Sequence, residues 1–391
     1  MLVRTFLTLS LSSFMFSSAI AESGSAQLQE LPKDRAIPIE NRPLSQATEV
    51  KSVDQPATEE TTVGNVQEDA SSASDNVVGN TNTPTVAEAP KVEWTLDALN
   101  NAEWYEGLQR GQLPVYAKAQ VLLNRNHASP GAIDGSTGMN TLKALSTYQI
   151  MNGLEGKGQL TKETWDSLVA KNNAPVFIEY TITDADIKGP YAKSIPSNYA
   201  EQAKMKGLYY TRVTEMLGEK FHMDEEFLKK INPKASFSKA GEKIIVTNVR
   251  NNLPEDIHLI VAHKVAKQLY LFNSKNRMIA SFPATIGSSS TPSPSGTHTI
   301  KNVAPNPWYS YSPSNFIQGN NLKPLSLPPG PNNPVGNIWI GLSKPSFGIH
   351  GTPQPSLISK TASHGCIRLT NWDANDLAKR VKPGITVQFV D

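Results

Sequence analysis

Apolar residues change their spacing along the chain, and the changes mark out its elements. Val115, Ala119, Leu122 and Leu123 recur at helical spacing, as do Leu142, Leu145, Tyr148 and Gln149, so helices are predicted over 115–124 and 140–151. Gly153-Leu154 breaks the second. Thr161 then stands as an N-cap for a third helix, with Thr164 where a capping-box Glu would sit. A β-like stretch, 176–182, follows. Met216, Leu217 and Phe221 predict a helix, and Phe227, Leu228 and Ile231 predict another, stopped by Asn232-Pro233 and followed by a strand at 243–246. Beyond residue 254 the period shortens to that of strands. Strands are predicted at 257–262, 268–272, 278–282, 297–300, 337–342 and 385–389, with a turn at Asn273-Ser274-Lys275-Asn276 and one helix from Trp372 to Val381. The fold class is therefore multidomain α+β: a small three-helix domain, then, past the connector at 176–191, a small module over about 208–249 with two helices and a closing strand, and a mostly-β domain.

The first 92 residues carry no such pattern. Arg4, an apolar run from Phe6 to Phe16 and the small residues Ala19-Ile20-Ala21 predict a secretory signal over 1–21. That run is too short to span a bilayer comfortably, so no transmembrane segment is expected after cleavage. Residues 22–92 are polar, free of aromatics and without a period, and read as a disordered linker. The domain boundaries that follow are 93–172, 173–253 and 254–391. The net charge of +2 gives no reason to expect nucleic acid as a partner, although residues 22–100 hold about nine more acids than bases and leave a basic body.

The chemistry concentrates near residue 366. Cys366 is the one cysteine, so no internal disulfide can form, and His350 and His364 lie within a loop's length of it. A thiol needs a neighbouring base to become a nucleophile at neutral pH. Small Gly365 lets a carbonyl approach and lets successive backbone N–H groups converge on one point. A buried, inert cysteine is the ordinary alternative; the segments Ile349-His350-Gly351-Thr352 and Ser363-His364-Gly365-Cys366 favour the nucleophile. A zinc site of His350, His364 and Cys366 is disfavoured by tight spacing and the want of a fourth ligand, so neither metal nor cofactor is expected. The Pro-rich stretch 302–334, with Trp308, Tyr309, Tyr311 and Phe316, reads as a flap over this site.

These motifs resemble the YkuD-type L,D-transpeptidases: His350-Gly351-Thr352, then Ser363-His364-Gly365-Cys366, with the lead-in strand 257–262, Gly287, 291–296, 330–336 and the closing 384–387. The resemblance spans about the last third of the chain. Arg368 stands where some members carry Asn. It implies Cys366 as nucleophile and His350 as general base, with His364, Gly365 and Gly351 in oxyanion or orienting roles. Ser363, Arg368, Trp339 and Tyr311 are the expected substrate contacts. The implied reaction is attack by the thiolate on the L-centre carbonyl of a peptidoglycan tetrapeptide stem, loss of D-alanine and transfer of the acyl thioester to an amine. That amine could be a neighbouring stem (a 3–3 cross-link), an outer-membrane lipoprotein or a D-amino acid, in the periplasm. The alternatives are a wall-directed cysteine peptidase or L,D-carboxypeptidase, and a non-catalytic peptidoglycan-binding protein. Upstream, Gln120-Val121-Leu122-Leu123-Asn124, Asp134-Gly135, Gly138, Thr141 and Trp165 resemble a peptidoglycan-binding three-helix domain. Asn232-Pro233 and the strand at 243–246 resemble a degenerate LysM module, a glycan-binding βααβ unit.

Overall fold

A computed structural model describes residues 92–172, 174–249, 252–288 and 291–391. The signal segment and the linker up to residue 91 lie outside the described residues. Helices α1 (Leu96–Asn100), α2 (Pro114–Arg125), α3 (Met139–Met151) and α4 (Lys162–Ala170) come first. Pro114 opens α2 at N1, where its missing N–H costs nothing. Thr161 caps α4 by accepting from the N–H of Thr164, whose hydroxyl meets that of Thr161 at 2.9 Å. The turn between α2 and α3 is built by Gln120. Its Oε1 accepts from the N–H groups of Asp134 and Gly135, and its Nε2 donates to Asp134 Oδ1 and Thr141 Oγ1.

Strand β1 (Phe177–Thr181) pairs antiparallel with β2 (Lys243–Thr247), and between them lie α5 (Asp184–Lys188), α6 (Tyr199–Gln202), α7 (Val213–Lys220) and α8 (Glu225–Ile231). Asn232 ties α8 to β2: its Nδ2 donates to the carbonyls of Leu228 and Ile245, and its Oδ1 accepts from the N–H of Ile245. One apolar core joins both segments. Leu122, Leu145 and Tyr148 from the first pack in it with Phe177, Leu217, Phe227 and Val246 from the second.

The strands after residue 252 are β3 (Leu259–His263), β4 (Gln268–Phe272), β5 (Met278–Pro283), β6 (Thr285–Ile286), β7 (Gly296–Pro305), β8 (Tyr309–Tyr311), β9 (Leu325–Leu327), β10 (Ile338–Leu342), β11 (Gly348–His350), β12 (Ile367–Arg368) and β13 (Thr386–Val390). Helix α9 (Asn371–Ala378) precedes β13. Among the described residues the main sheet runs β5-β4-β3-β13-β7-β10-β11-β12-β6, and β8-β9 is a separate ribbon. Strand β7 runs on to Pro305, well beyond the predicted 297–300, because β13 and β10 pair with its successive halves. The helix predicted to reach Val381 stops at Ala378, and Val381 still packs on the core. Strand β5 is an edge strand. The N–H of Ser129 donates to the carbonyl of Ser281 and the N–H of Ser281 to the carbonyl of His127, so the chain after α2 covers that edge.

Candidate functional site

The site sits where β11 and β12 run parallel, with Ile349 opposite Ile367 and His350 opposite Arg368. Side chains alternate across a sheet. Ile349 and Ile367 are fully buried in the core, so His350 and Arg368 share the other face, and Cys366, two residues before Arg368, lies on that face too. Antiparallel β10 places Trp339 opposite His350, and the two rings stack at 5.8 Å between centroids. Trp339 also crowds Gly348, where a Cβ would lie 2.7 Å from the indole.

The buried His350 ring has its Nδ1 2.6 Å from the carbonyl oxygen of Gly351. A carbonyl only accepts, so Nδ1 carries the proton and Nε2 keeps the lone pair. Burial brings this imidazole down to about 4, against the raising effect of the Gly351 carbonyl, and the Arg368 charge lowers it further. Burial pushes the Cys366 thiol up, opposed by the Gly348 N–H and the Arg368 charge. The sulfur lies 3.7 Å from the carbonyl of Ser346. The resting pair at neutral pH is thus thiol and neutral imidazole. Arg368 donates from Nη1 to the carbonyl of Ala362 at 3.0 Å, and the groups that act electrically on it are Tyr199, Cys366 and Tyr309.

Gly365 adopts φ +100°, and a Cβ there would lie 2.6 Å from the Phe347 ring and 3.2 Å from the carbonyl of Pro292. Among the described residues, the backbone N–H groups of His364, Gly365 and Cys366 have no hydrogen-bond acceptor. They remain available to an oxyanion. The His364 ring stacks on Phe316 at 4.1 Å and 6°. No group of three or more His, Cys, Asp or Glu side chains gathers as a metal would require among the described residues.

Two expected substrate contacts turn inward, and Gly351 orients without offering a donor. Ser363, expected to touch substrate, is buried: its hydroxyl donates to the carbonyl of Cys366 at 2.6 Å and accepts from the N–H of Gly287 at 2.8 Å. Tyr311, also expected on substrate, is buried within the flap, its hydroxyl donating to the carbonyl of Asn321 and accepting from the N–H of Gln318. Gly351 has its N–H bonded to the carbonyl of Ile338, so it orients His350 through its own carbonyl and offers no oxyanion donor. Two supports went unread as such: Thr291 donates to the carbonyl of Ser363, and Ser293 to that of Gly365. The Thr291–Gly296 run held that signal. Asn371 was missed too. Its Oδ1 would lie 2.1 Å from a Cβ at Gly336 or at Gly351, and its Nδ2 donates to both oxygens of Glu219 at 3.0 Å.

Comparison with known proteins bears on this arrangement. Residues 257–389 match the model of the L,D-transpeptidase catalytic domain, YkuD. A Bacillus licheniformis protein assigned as the L,D-transpeptidase YkuD is 30% identical over 177 residues, which is 45% of this chain and 92% of that protein. The chain belongs to the YkuD-type L,D-transpeptidases. YbiS of Escherichia coli, also assigned as an L,D-transpeptidase, is 25% identical over 46% of this chain and 61% of its own length. The crystal structure of L,D-transpeptidase 3 from Mycobacterium tuberculosis aligns with 17% identity over 35% of this chain and 62% of that one. Its TM-score of 0.29 is too low to carry a structural argument. The YkuD-type model stops short of residues 92–249, and the C-terminal, mostly-β domain is the part that it identifies.

Proposed function

We propose that this YkuD-type enzyme cleaves and transfers peptidoglycan stem peptides, with Cys366 as nucleophile and His350 as general base. The observation that carries the reading is the His350 Nδ1–Gly351 carbonyl bond on the sheet face that also bears Cys366. It leaves Nε2 as the lone-pair nitrogen. The sulfur bonds to the L-centre carbonyl as its proton passes to Nε2, and the oxyanion takes the backbone N–H groups around Gly365. Collapse breaks the peptide bond, and the D-alanine amine leaves with the proton from His350. An acceptor amine then attacks the thioester, gives up its proton through His350 and restores the thiol. Arg368, charged and without a carboxylate partner among the described residues, is suited to a stem carboxylate. Ser363, Thr291 and Ser293 act as positioning residues for the Cys366 loop.

The segments before residue 254 suit attachment to the wall, and residues 1–21 suit export to the periplasm. In the helical segment the landmarks Gln120, Asp134 and Thr141 bond one another, and in the LysM-like segment Asn232 bonds its own strand. That internal use gives these landmarks a structural part, while Ser129 and Lys143 of the helical segment bond the catalytic domain.

The test is incubation with purified disaccharide-tetrapeptide, read by mass spectrometry, beside Cys366→Ala. The expected product is a dimer short of one D-alanine, absent from the variant. Loss of D-alanine without a dimer, still dependent on Cys366, would move the activity to carboxypeptidase or to protein anchoring. No product from folded protein would overturn the reading.

A further inference from the structure

The chain between α5 and α7 leaves its own core and crosses onto the flap of the C-terminal domain. Tyr199, at the start of α6, presents its ring edge-on to Tyr311 at 5.4 Å, Tyr309 at 5.9 Å and Phe316 at 6.4 Å. Its backbone N–H donates to Gln318 Oε1 at 3.0 Å, and Gln318 Nε2 donates back to the carbonyl of Ser197 at 2.8 Å. At the far end of the flap the N–H of Leu208 donates to the carbonyl of Pro329, and the carbonyl of Leu208 accepts from the N–H of Asn332, each at 2.9 Å. Gly330 is obligatory for this fit, since a Cβ would lie 2.2 Å from the Leu208 carbonyl oxygen. Phe316, one ring from Tyr199, is the residue stacked on His364.

We propose that Tyr199 is a positioning residue of the active site: its ring sets the height of the flap over Cys366, so the donor subsite is completed from outside residues 257–389. Two contacts carry the effect, Tyr199 to Phe316 and Phe316 to His364, next but one to the thiol. Burial raises the Tyr199 phenol and the Arg368 charge draws it back, so ring and guanidinium border the same space. The claim that the flap is held needs only the geometry; its kinetic consequence rests on the transpeptidase reading.

The experiment compares the full chain, wild type, with Tyr199→Ala, Tyr199→Phe and Gln318→Ala, using Tyr105→Ala as a surface control. Hydrogen exchange is followed over 306–328 and over 259–272. In Tyr199→Ala and Gln318→Ala the flap peptide should lose protection while β3 and β4 keep theirs, and iodoacetamide should alkylate Cys366 at least about threefold faster. Tyr199→Phe should match wild type, because the packing is the ring's. With the tetrapeptide donor, Tyr199→Ala should raise KM about tenfold and change kcat less than about threefold. Unaltered flap exchange and alkylation in both Tyr199→Ala and Gln318→Ala would overturn the proposal. A wild type inactive on tetrapeptide would instead overturn the transpeptidase reading and leave the exchange result to decide the role of Tyr199.

Discussion

The imidazole of His350 and the thiol of Cys366 are both held neutral by burial, and this sets their pH behaviour. On the proposed assignment, with His350 at about 4 and the thiol above its ordinary value, protonation of His350 should remove activity only in acid. The acid limb of kcat/KM should therefore fall near pH 4–5, below the ~6.5 of an unperturbed histidine. Alkylation of Cys366 against pH should show a midpoint above ~8.5; a plateau already reached at pH 6 would point to a resting thiolate–imidazolium pair and sink the assignment. Ser363→Ala would strip partners from the Gly287 N–H and the Cys366 carbonyl, at about 1–3 kcal/mol for each group left unpaired. As a positioning change it should lower kcat at least about tenfold, leave KM within about twofold and be recovered by Ser363→Thr. At this scale the sequence marked Cys366 and its flanking His-Gly as candidates, because that motif needs only local chain. It could not announce that Ser363 and Tyr311 turn inward, since their partners Gly287 and Asn321 are set by the fold. Nor did it mark Tyr199, whose neighbours lie more than a hundred residues away.

Elements were legible where one stretch of chain contains its own reason. Helices α2 and α3 and the β4–β5 hairpin declare themselves by period and turn. Strand β7 does not, because its second half is strand only through pairing with β10. The β8–β9 ribbon was obscured by the prolines around it, which deny it a strand-like run, although the stretch was read as a flap. The parallel β11–β12 contact is the element that sets the site geometry, and it closes only when Ile349 and Ile367 share the core. Ile349→Ala or Ile367→Ala should cost about 2–5 kcal/mol in chemical denaturation. Either should also lower activity per folded molecule, since the register of His350 against Arg368 loosens with the packing. A variant with lost stability but full specific activity would show that the register is held elsewhere.

At the scale of the molecule, residues 92–249 meet helix α9 of the catalytic domain through polar contacts and one aromatic stack. Ser129 donates to Asp373 at 2.9 Å, Asn371 to Glu219, and the rings of His222 and Trp372 stack at 5.1 Å. Burial raises Glu219 and Asp373 to about 8 each. A folded state that binds more protons than the unfolded one is most stable below the unfolded pKa and loses that stability as pH rises to the folded value, so both carboxyls weaken the fold between about pH 4.5 and 8. His350 opposes this below about 6.5 and Lys143, brought down to about 7 by burial, opposes it above. The clean reading is therefore a difference. From pH 5 to pH 8, wild type should lose several degrees more in Tm than Glu219→Gln; parallel curves would show that Glu219 is not the group responsible. None of these pairings could be read from the sequence, because each joins residues from segments with separate local patterns. The strand order has a further consequence for synthesis. Strand β13 lies between β3 and β7, near the middle of the sheet, yet it follows every other described strand in the chain. Until it arrives, the half of the sheet that carries the thiol lacks the strand that hydrogen-bonds it to β3, and the short link from β5 to β6 connects the two. A chain interrupted after Cys366 holds the thiol and both nearby histidines yet lacks β13, so on the proposed assignment the nucleophile should mature only once that strand has been added.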